Sequence, residues 1–157
     1  MRYFIDTEFS ERPGHLELLS IGIVCEDGRQ FYAENSEFDV SKCNDWMKEN
    51  VLPKLTGPRM RKQTIAERMR RFVSGEPEFW GYYSDYDWVV FCWLFGAMID
   101  LPEGWPMYCR DLKQEIDRLG LDIHQPEDQS HNALDDARWI RETWGKLPRR
   151  TEWGDVS

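Results

Sequence analysis

Apolar residues occur in short runs of two periodicities along this chain, and polar turns separate the runs. The earliest runs are rich in β-branched and aromatic residues, which favours strands, and the second run is apolar enough for a central strand. An Asp27-Gly28 pair is typical of a tight hairpin. We therefore expect an antiparallel meander made of strand 2–9, turn 10–15, strand 16–25, turn 26–29 and strand 30–33.

Helical patterns follow the meander. Helices are predicted at 44–51, 62–73, from Ser84 onward, at 110–119 and at 133–144, with short strands at 78–83 and 105–108. Strands first, then alternating strands and helices, indicate an α/β fold with a mixed sheet flanked by helices. We expect one domain over 1–145 and a C-terminal tail over 146–157.

Composition and net charge restrict the classes of protein that are compatible with this fold. The chain has 157 residues, 41% of them hydrophobic and 14% aromatic, which is enough for a packed core. Its net charge of -9 argues against wide electrostatic capture of a nucleic-acid backbone. Two bound divalent cations would bring the balance to about -5, so a metal-dependent nuclease stays compatible with the composition.

The four cysteines and the apolar runs bear on the compartment. No Cys-x-x-Cys spacing is present, so we expect neither a zinc site nor a disulfide framework but reduced thiols in a cytoplasmic protein. The longest apolar run, 88–99, is shorter than the roughly 18 residues that span a membrane. No membrane association is predicted.

The first strand ends in two carboxylates, Asp6 and Glu8. Side chains alternate along a strand at about 3.3 Å per residue, so both point to one side about 7 Å apart. Hard divalent cations prefer oxygen ligands, and two such ions can hold the oxygens of a phosphoryl transfer. An Asp-x-Glu triplet is common in so acidic a chain, so further ligands are needed.

The last predicted helix offers another carboxylate and a histidine. Residues five apart in a helix differ by about 140°, so His131 and Asp136 converge only if His131 precedes the helix. Asn132 is a suitable N-cap, with Asp135 at the capping-box position. Asp136 would then lie on the apolar face, directed toward the first strand.

These residues resemble the DEDD exonucleases of the ribonuclease H-like fold, in the branch with a catalytic histidine. That family has Asp-x-Glu on its first strand, an aromatic-Asp pair opening a middle helix, and His-x4-Asp around the start of a late helix. In this chain the three motifs are Asp6-Thr7-Glu8, Tyr86-Asp87, and His131 with Asp136. In the middle motif, Asp85 is an alternative to Asp87.

The resemblance is closer to the small polyadenylate-specific 3′-5′ exoribonucleases called RNase AS. The similar stretches are 1–4 and 6–9, 17–22, 26–29, 50–55 and 131–138. This resemblance implies a homodimer and two magnesium or manganese ions. It assigns the metal ligands to Asp6, Glu8, Asp87 and Asp136, with Asp6 as the bridging ligand and His131 as the general base.

Substrate contacts are expected near the first two strands: Thr7, Phe9, Glu17 and Leu18, with Ile21 in the same pocket. Phe9 could stack on a terminal base, which contributes about 1–3 kcal/mol per base, and it is equally compatible with an ordinary core position. Glu17 could accept a hydrogen bond from an adenine amino group. The eight tryptophans are expected in the core and at dimer contacts.

The function expected from these residues is that of a metal-dependent 3′-5′ exoribonuclease, which hydrolyses single-stranded RNA with adenine-rich 3′ ends. Two alternatives remain open at this point. One is an exonuclease of single-stranded DNA or short oligonucleotides. The other is a metal- or RNA-binding module without turnover, in which a general base would have no use.

Overall fold

Six strands and five helices lie in the part of the chain that the computed structural model describes, residues 1–126 and 131–148. The strands are β1 (Arg2–Arg12), β2 (His15–Cys25), β3 (Gln30–Asn35), β4 (Arg59–Met60), β5 (Glu78–Gly81) and β6 (Arg110–Asp111). The helices are α1 (Asp45–Asn50), α2 (Lys62–Phe72), α3 (Asp85–Trp93), α4 (Leu112–Arg118) and α5 (Ala133–Lys146). Positions 149–157 of the predicted tail lie outside the described residues.

The strands form one mixed sheet in the order β4-β3-β2-β1-β5-β6. The β1-β2-β3 meander is antiparallel, whereas β4, β5 and β6 each run parallel to a neighbour. The predicted α/β fold with a mixed sheet and flanking helices is confirmed. The parallel pair β1-β5 places two strand ends at one edge, where sites form in open sheets.

The first hairpin is longer than its sequence pattern indicated. Strand β1 continues to Arg12, which pairs with His15, so the predicted turn at 10–15 shrinks to Pro13 and Gly14. Gly14 has a φ of 76°, a conformation that glycine adopts without strain. A bulge interrupts the β1-β2 register just after Glu8 and leaves the outer part of the hairpin with a shifted pairing.

Two short strands were not predicted, and the strand predicted at 105–108 is wrong. β4 and β6 have two residues each, too few to carry a periodic pattern. Trp105 lies in a loop, and its ring packs 5.4 Å from that of Phe79. The helix predicted from 110 starts at Leu112, because the Asp111 side chain caps it.

The core occupies both faces of the sheet. Tyr3 and Ile5 of β1 are fully buried in the cluster shared with α2 and α3, whereas Phe4 is buried against α4 and α5. Because side chains alternate along a strand, Asp6 and Glu8 continue the Phe4 face, toward α5.

None of the helices in the described residues has the length and apolarity needed to cross a membrane. The four cysteines carry free thiols, and three of them are buried.

Candidate active site

Three of the predicted carboxylates meet at the edge of the sheet where β5 ends. Strand β1 pairs with β5 only as far as Phe4, so Asp6 and Glu8 lie beyond this pairing. One oxygen atom from each of Asp6, Glu8 and Asp136 lies within 4.8 Å of the other two. The structure therefore brings together residues from β1 and α5 that are about 130 positions apart in the chain.

A glycine on β2 allows α5 to approach this closely. Gly22 pairs with Asp6, and a Cβ atom built on Gly22 would lie 2.2 Å from the carbonyl oxygen of Ala133. The helix backbone thus rests directly on the strand. Asn132 caps α5 as predicted, with its side chain accepting from the backbone N–H groups of Leu134 and Asp135.

The Asp136 carboxylate is oriented by two donors. Gln125 Nε2 donates to its Oδ1 at 2.5 Å, and the backbone N–H of His131 donates to its Oδ2 at 3.0 Å. The buried face of α5 carries Asp136, as the pattern indicated. Asp135 stands at the predicted capping-box position, where its backbone N–H donates to Asn132 Oδ1 at 3.3 Å, and its exposed carboxylate pairs with Arg138.

Asp87 reaches β1 from the first turn of α3. The backbone N–H and the hydroxyl group of Thr7 donate to Asp87 Oδ1 at 2.8 and 2.6 Å. Asp87 is buried whereas Asp85 is exposed, so the geometry favours Asp87 over its rival. Thr7 thus orients Asp87, and its predicted contact with substrate stays a prediction.

The cluster consists of buried carboxylates that repel one another and are only partly compensated by Lys54 and by hydrogen bonds. Burial, followed by the charges of Asp87, Asp136 and Glu8, raises the pKa of Asp6 well above its usual range. Burial first and then Asp136 and Asp87 raise the pKa of Glu8 to about 8. Burial likewise raises the pKa of Asp87 and that of Asp136 to about 6, against the hydrogen bonds that these groups accept. Carboxylate oxygens that lie close together and repel one another are suited to bind hard divalent cations.

His131 lies beside this cluster, ahead of α5 as predicted. Its φ is 72°, in the left-handed region, which costs a residue other than glycine about 1–2 kcal/mol. Its ring is perpendicular to the indole ring of Trp46, at a centroid distance of 4.8 Å. Burial, and then the charge of Lys54, lowers its pKa, so the imidazole is neutral at pH 7 and able to accept a proton.

Three residues around the site were missed by sequence reasoning: Trp46, Lys54 and Gln125. Trp46 is 51% exposed beside His131, although the tryptophans were expected in the core and at dimer contacts. The charge of Lys54 acts on Glu8, His131 and Asp136. The sequence signal for Lys54 is its place in the stretch 50–55, which resembles RNase AS.

The predicted substrate contacts are divided between the two faces of the sheet. Phe9 packs partly buried against the α2–α3 core, edge-on to Tyr86 at 5.9 Å, and Leu18 is buried in the same core. Glu17, next in sequence to Leu18, faces the other side of the sheet, where its Oε2 lies 3.7 Å from His15 Nε2. Ile21 is fully buried.

The fold has a counterpart among solved exonucleases. The structure matches the zinc-bound crystal structure of an Escherichia coli ExoI complex with single-stranded DNA, at a TM-score of 0.62 and 13% sequence identity. The match covers 91% of this chain and 39% of the length of that chain. The chain therefore shares the fold of this structure, a mixed ribonuclease H-like sheet flanked by helices.

Sequence comparison gives the family. Residues 1–147 match the family described as the 3′-5′ exoribonuclease Rv2179c-like domain. Two proteins of Mycobacterium tuberculosis, the 3′-5′ exoribonucleases Rv2179c of strain H37Rv and MT2234.1 of strain CDC 1551 / Oshkosh, are each 40% identical over 147 residues. Each match covers 88% of this chain and 88% of the relative. The chain belongs to the Rv2179c-like 3′-5′ exoribonuclease family and is thus a nuclease of the hydrolase class.

Proposed function

We propose that this protein is a divalent-metal-dependent enzyme that removes nucleotides from the 3′ end of single-stranded RNA, with a preference for adenine-rich ends. The observation that carries the proposal is the approach of Asp6, Glu8 and Asp136 oxygen atoms to within 4.8 Å, next to His131. Family membership supports the 3′-5′ direction and the RNA substrate. The adenine preference rests on the resemblance to RNase AS.

Four carboxylates, those of Asp6, Glu8, Asp87 and Asp136, would hold two magnesium or manganese ions. When bound, such ions lower the pKa of a water molecule and stabilise negative charge on the leaving 3′ oxygen. Asp6 is suited to be the shared ligand, because the other three carboxylates all raise its pKa. Thr7 and Gln125 fix the orientations of Asp87 and Asp136.

His131 acts as the general base. A ring nitrogen of its neutral imidazole takes a proton from the attacking water. The hydrogen bond from the His131 backbone to Asp136 holds the residue at the site in the metal-free protein.

RNA is held mainly by stacking and hydrogen bonding, because basic charge is sparse in a chain of net charge -9. Phe9, partly buried and next in sequence to Glu8, is the proposed stacking contact for the 3′ nucleotide, and Leu18 supports it from within the core. Glu17 is the proposed acceptor for an adenine amino group. We place the enzyme in the cytoplasm because its four cysteines fit reduced thiols, and we infer a homodimer from the resemblance to RNase AS.

Digestion of end-labelled strands tests this function. With manganese, oligo(A), oligo(U), oligo(C) and single-stranded DNA are incubated with the protein and with Asp6→Ala as the inactive control. We expect stepwise shortening from the 3′ end, fastest on oligo(A), and no shortening by Asp6→Ala. Equal rates on all strands would remove the adenine preference, faster cleavage of DNA would favour the alternative substrate, and no metal-dependent cleavage would contradict the enzyme.

A further inference from the structure

The ring of Trp46 is exposed at the site, yet one side of it is in contact with His131. The two rings are perpendicular, with centroids 4.8 Å apart, a favourable edge-to-face geometry for aromatic pairs. Trp46 is nevertheless 51% exposed, whereas most of the side-chain surface of a tryptophan is usually buried. An exposed indole ring is therefore placed against the proposed base.

The helix that carries Trp46 is firmly attached to the sheet. The neighbouring residue Met47 is 5% exposed and packs in a cluster with Leu19 of β2. The Asn44 side chain caps the helix at the Met47 N–H, and Asn50 Nδ2 donates to the Trp46 carbonyl oxygen at 2.8 Å. Trp46 is thus presented by a fixed backbone.

The backbone of His131 is also fixed, by its hydrogen bond to Asp136 and by the capped start of α5. These contacts do not define the rotation of the imidazole ring, because the torsion about its Cβ–Cγ bond has a broad energy profile. A rigid aromatic ring against the imidazole narrows that rotation. Orientation of a catalytic group is a large contribution to rate, since small misplacements slow the reaction strongly.

We propose that Trp46 is a positioning residue, which holds the imidazole of His131 in the orientation that accepts the water proton. This inference rests on the proposed function, in which His131 is the general base. The competing role for an exposed tryptophan in a nuclease is to stack on a nucleobase, and the two roles differ in their kinetics. Positioning acts on kcat, whereas stacking on substrate acts on RNA binding and KM.

The first test measures kcat and KM on oligo(A) with manganese. We expect Trp46→Ala to lower kcat about tenfold, which corresponds to about 1.4 kcal/mol, with KM unchanged within about twofold. Trp46→Phe, which keeps an aromatic ring, is expected to recover most of kcat. The control is Tyr108→Ala, which removes a ring that is 57% exposed beside Arg110, outside the site, and should leave both constants unchanged.

A double-mutant cycle then asks whether Trp46 acts through His131. In a His131→Ala background, adding Trp46→Ala is expected to cause no further loss of kcat. An equal loss in both backgrounds, or a raised KM with unchanged kcat, would overturn the positioning role in favour of stacking. Full activity of His131→Ala, or no hydrolysis by the wild type, would instead overturn the proposed function and the inference with it.

A second readout does not require catalysis. In the metal-free protein, the NMR resonance of the His131 Cε1 proton senses the ring current of the adjacent indole. Trp46→Ala is expected to shift this resonance, and Trp46→Phe to restore part of the shift, while Tyr108→Ala leaves it unchanged. A resonance unaffected by Trp46→Ala would contradict a fixed contact between the two rings.

Discussion

At the scale of single residues, the site combines predictable and unpredictable contacts. Strand alternation alone indicated that Asp6 and Glu8 share a side, and the five-residue offset placed His131 ahead of the helix. The hydrogen bonds from Thr7 to Asp87 were not predictable, because they join residues 80 positions apart whose approach depends on the sheet order. The contact between Trp46 and His131 likewise depends on where α1 packs.

His131 has a strained backbone and is also the proposed general base. A substitution that removes the base and relieves the strain can therefore change activity without lowering stability. In His131→Asn the base is lost, and asparagine tolerates a positive φ better than most residues. We expect kcat to fall about 10²–10⁴-fold while RNA binding persists. The melting temperature should stay within about 2 °C of the wild type, because relief of backbone strain offsets the lost ring contact with Trp46.

Steady-state hydrolysis of oligo(A) measures kcat, and thermal unfolding measures the melting temperature. The matched control is His124→Asn, which changes an exposed loop histidine paired with Asp122 and should alter neither. Undiminished hydrolysis by His131→Asn would show that His131 is not the base.

At the scale of elements, long strands and helices followed from periodicity, and the two-residue strands did not. The close packing of α5 on β2 was also invisible in the pattern, since Gly22 reads as one small residue in an apolar run. Glycine is required at position 22 because the backbone of Ala133, in the distant helix α5, lies directly against it. The position of Asp136 relative to Asp6 depends on this contact.

Gly22→Ala tests that dependence. The added Cβ atom would meet the Ala133 carbonyl oxygen, so α5 must move outward and carry Asp136 away from Asp6. Overpacking of this kind costs about 1–3 kcal/mol, and we expect a lower melting temperature together with weaker manganese binding and slower hydrolysis.

Gly145→Ala on the same helix is the matched control, because its added methyl group meets nothing within 4 Å. It is expected to leave activity unchanged and the melting temperature equal or slightly higher, since alanine favours helix by up to about 1 kcal/mol. Normal hydrolysis by Gly22→Ala would mean that the α5–β2 contact does not set the geometry of the site.

At the scale of the whole molecule, the sequence predicted the mixed sheet and its flanking helices. The periodicity of apolar residues indicates both the antiparallel meander and the strands and helices that alternate after it. It also predicted that negative charge would gather in one place. The structure adds the cost of this gathering: four carboxylates with raised pKa values lie together in a protein that already carries a net charge of -9.

This cost has a definite pH dependence in the metal-free protein. The folded-state pKa is about 8 for Glu8 and about 6 for both Asp87 and Asp136, above unfolded values near 4. Each group therefore contributes stability that is fully present below about pH 4 and is lost as pH rises through its folded-state pKa. Bound cations offset the ionised carboxylates, so they should stabilise the fold most at alkaline pH.

The most direct test of the acidic cluster as a metal site is the melting temperature at pH 6 and pH 8, with and without manganese. We expect the metal-free protein to melt lower at pH 8 than at pH 6. Manganese at about 100 times its Kd should add about 2.7 kcal/mol, or roughly 5–10 °C. Asp6→Asn should melt higher than the wild type without metal and respond far less to it. A wild-type melting curve that manganese leaves unchanged at pH 8 would contradict the site and the mechanism built on it.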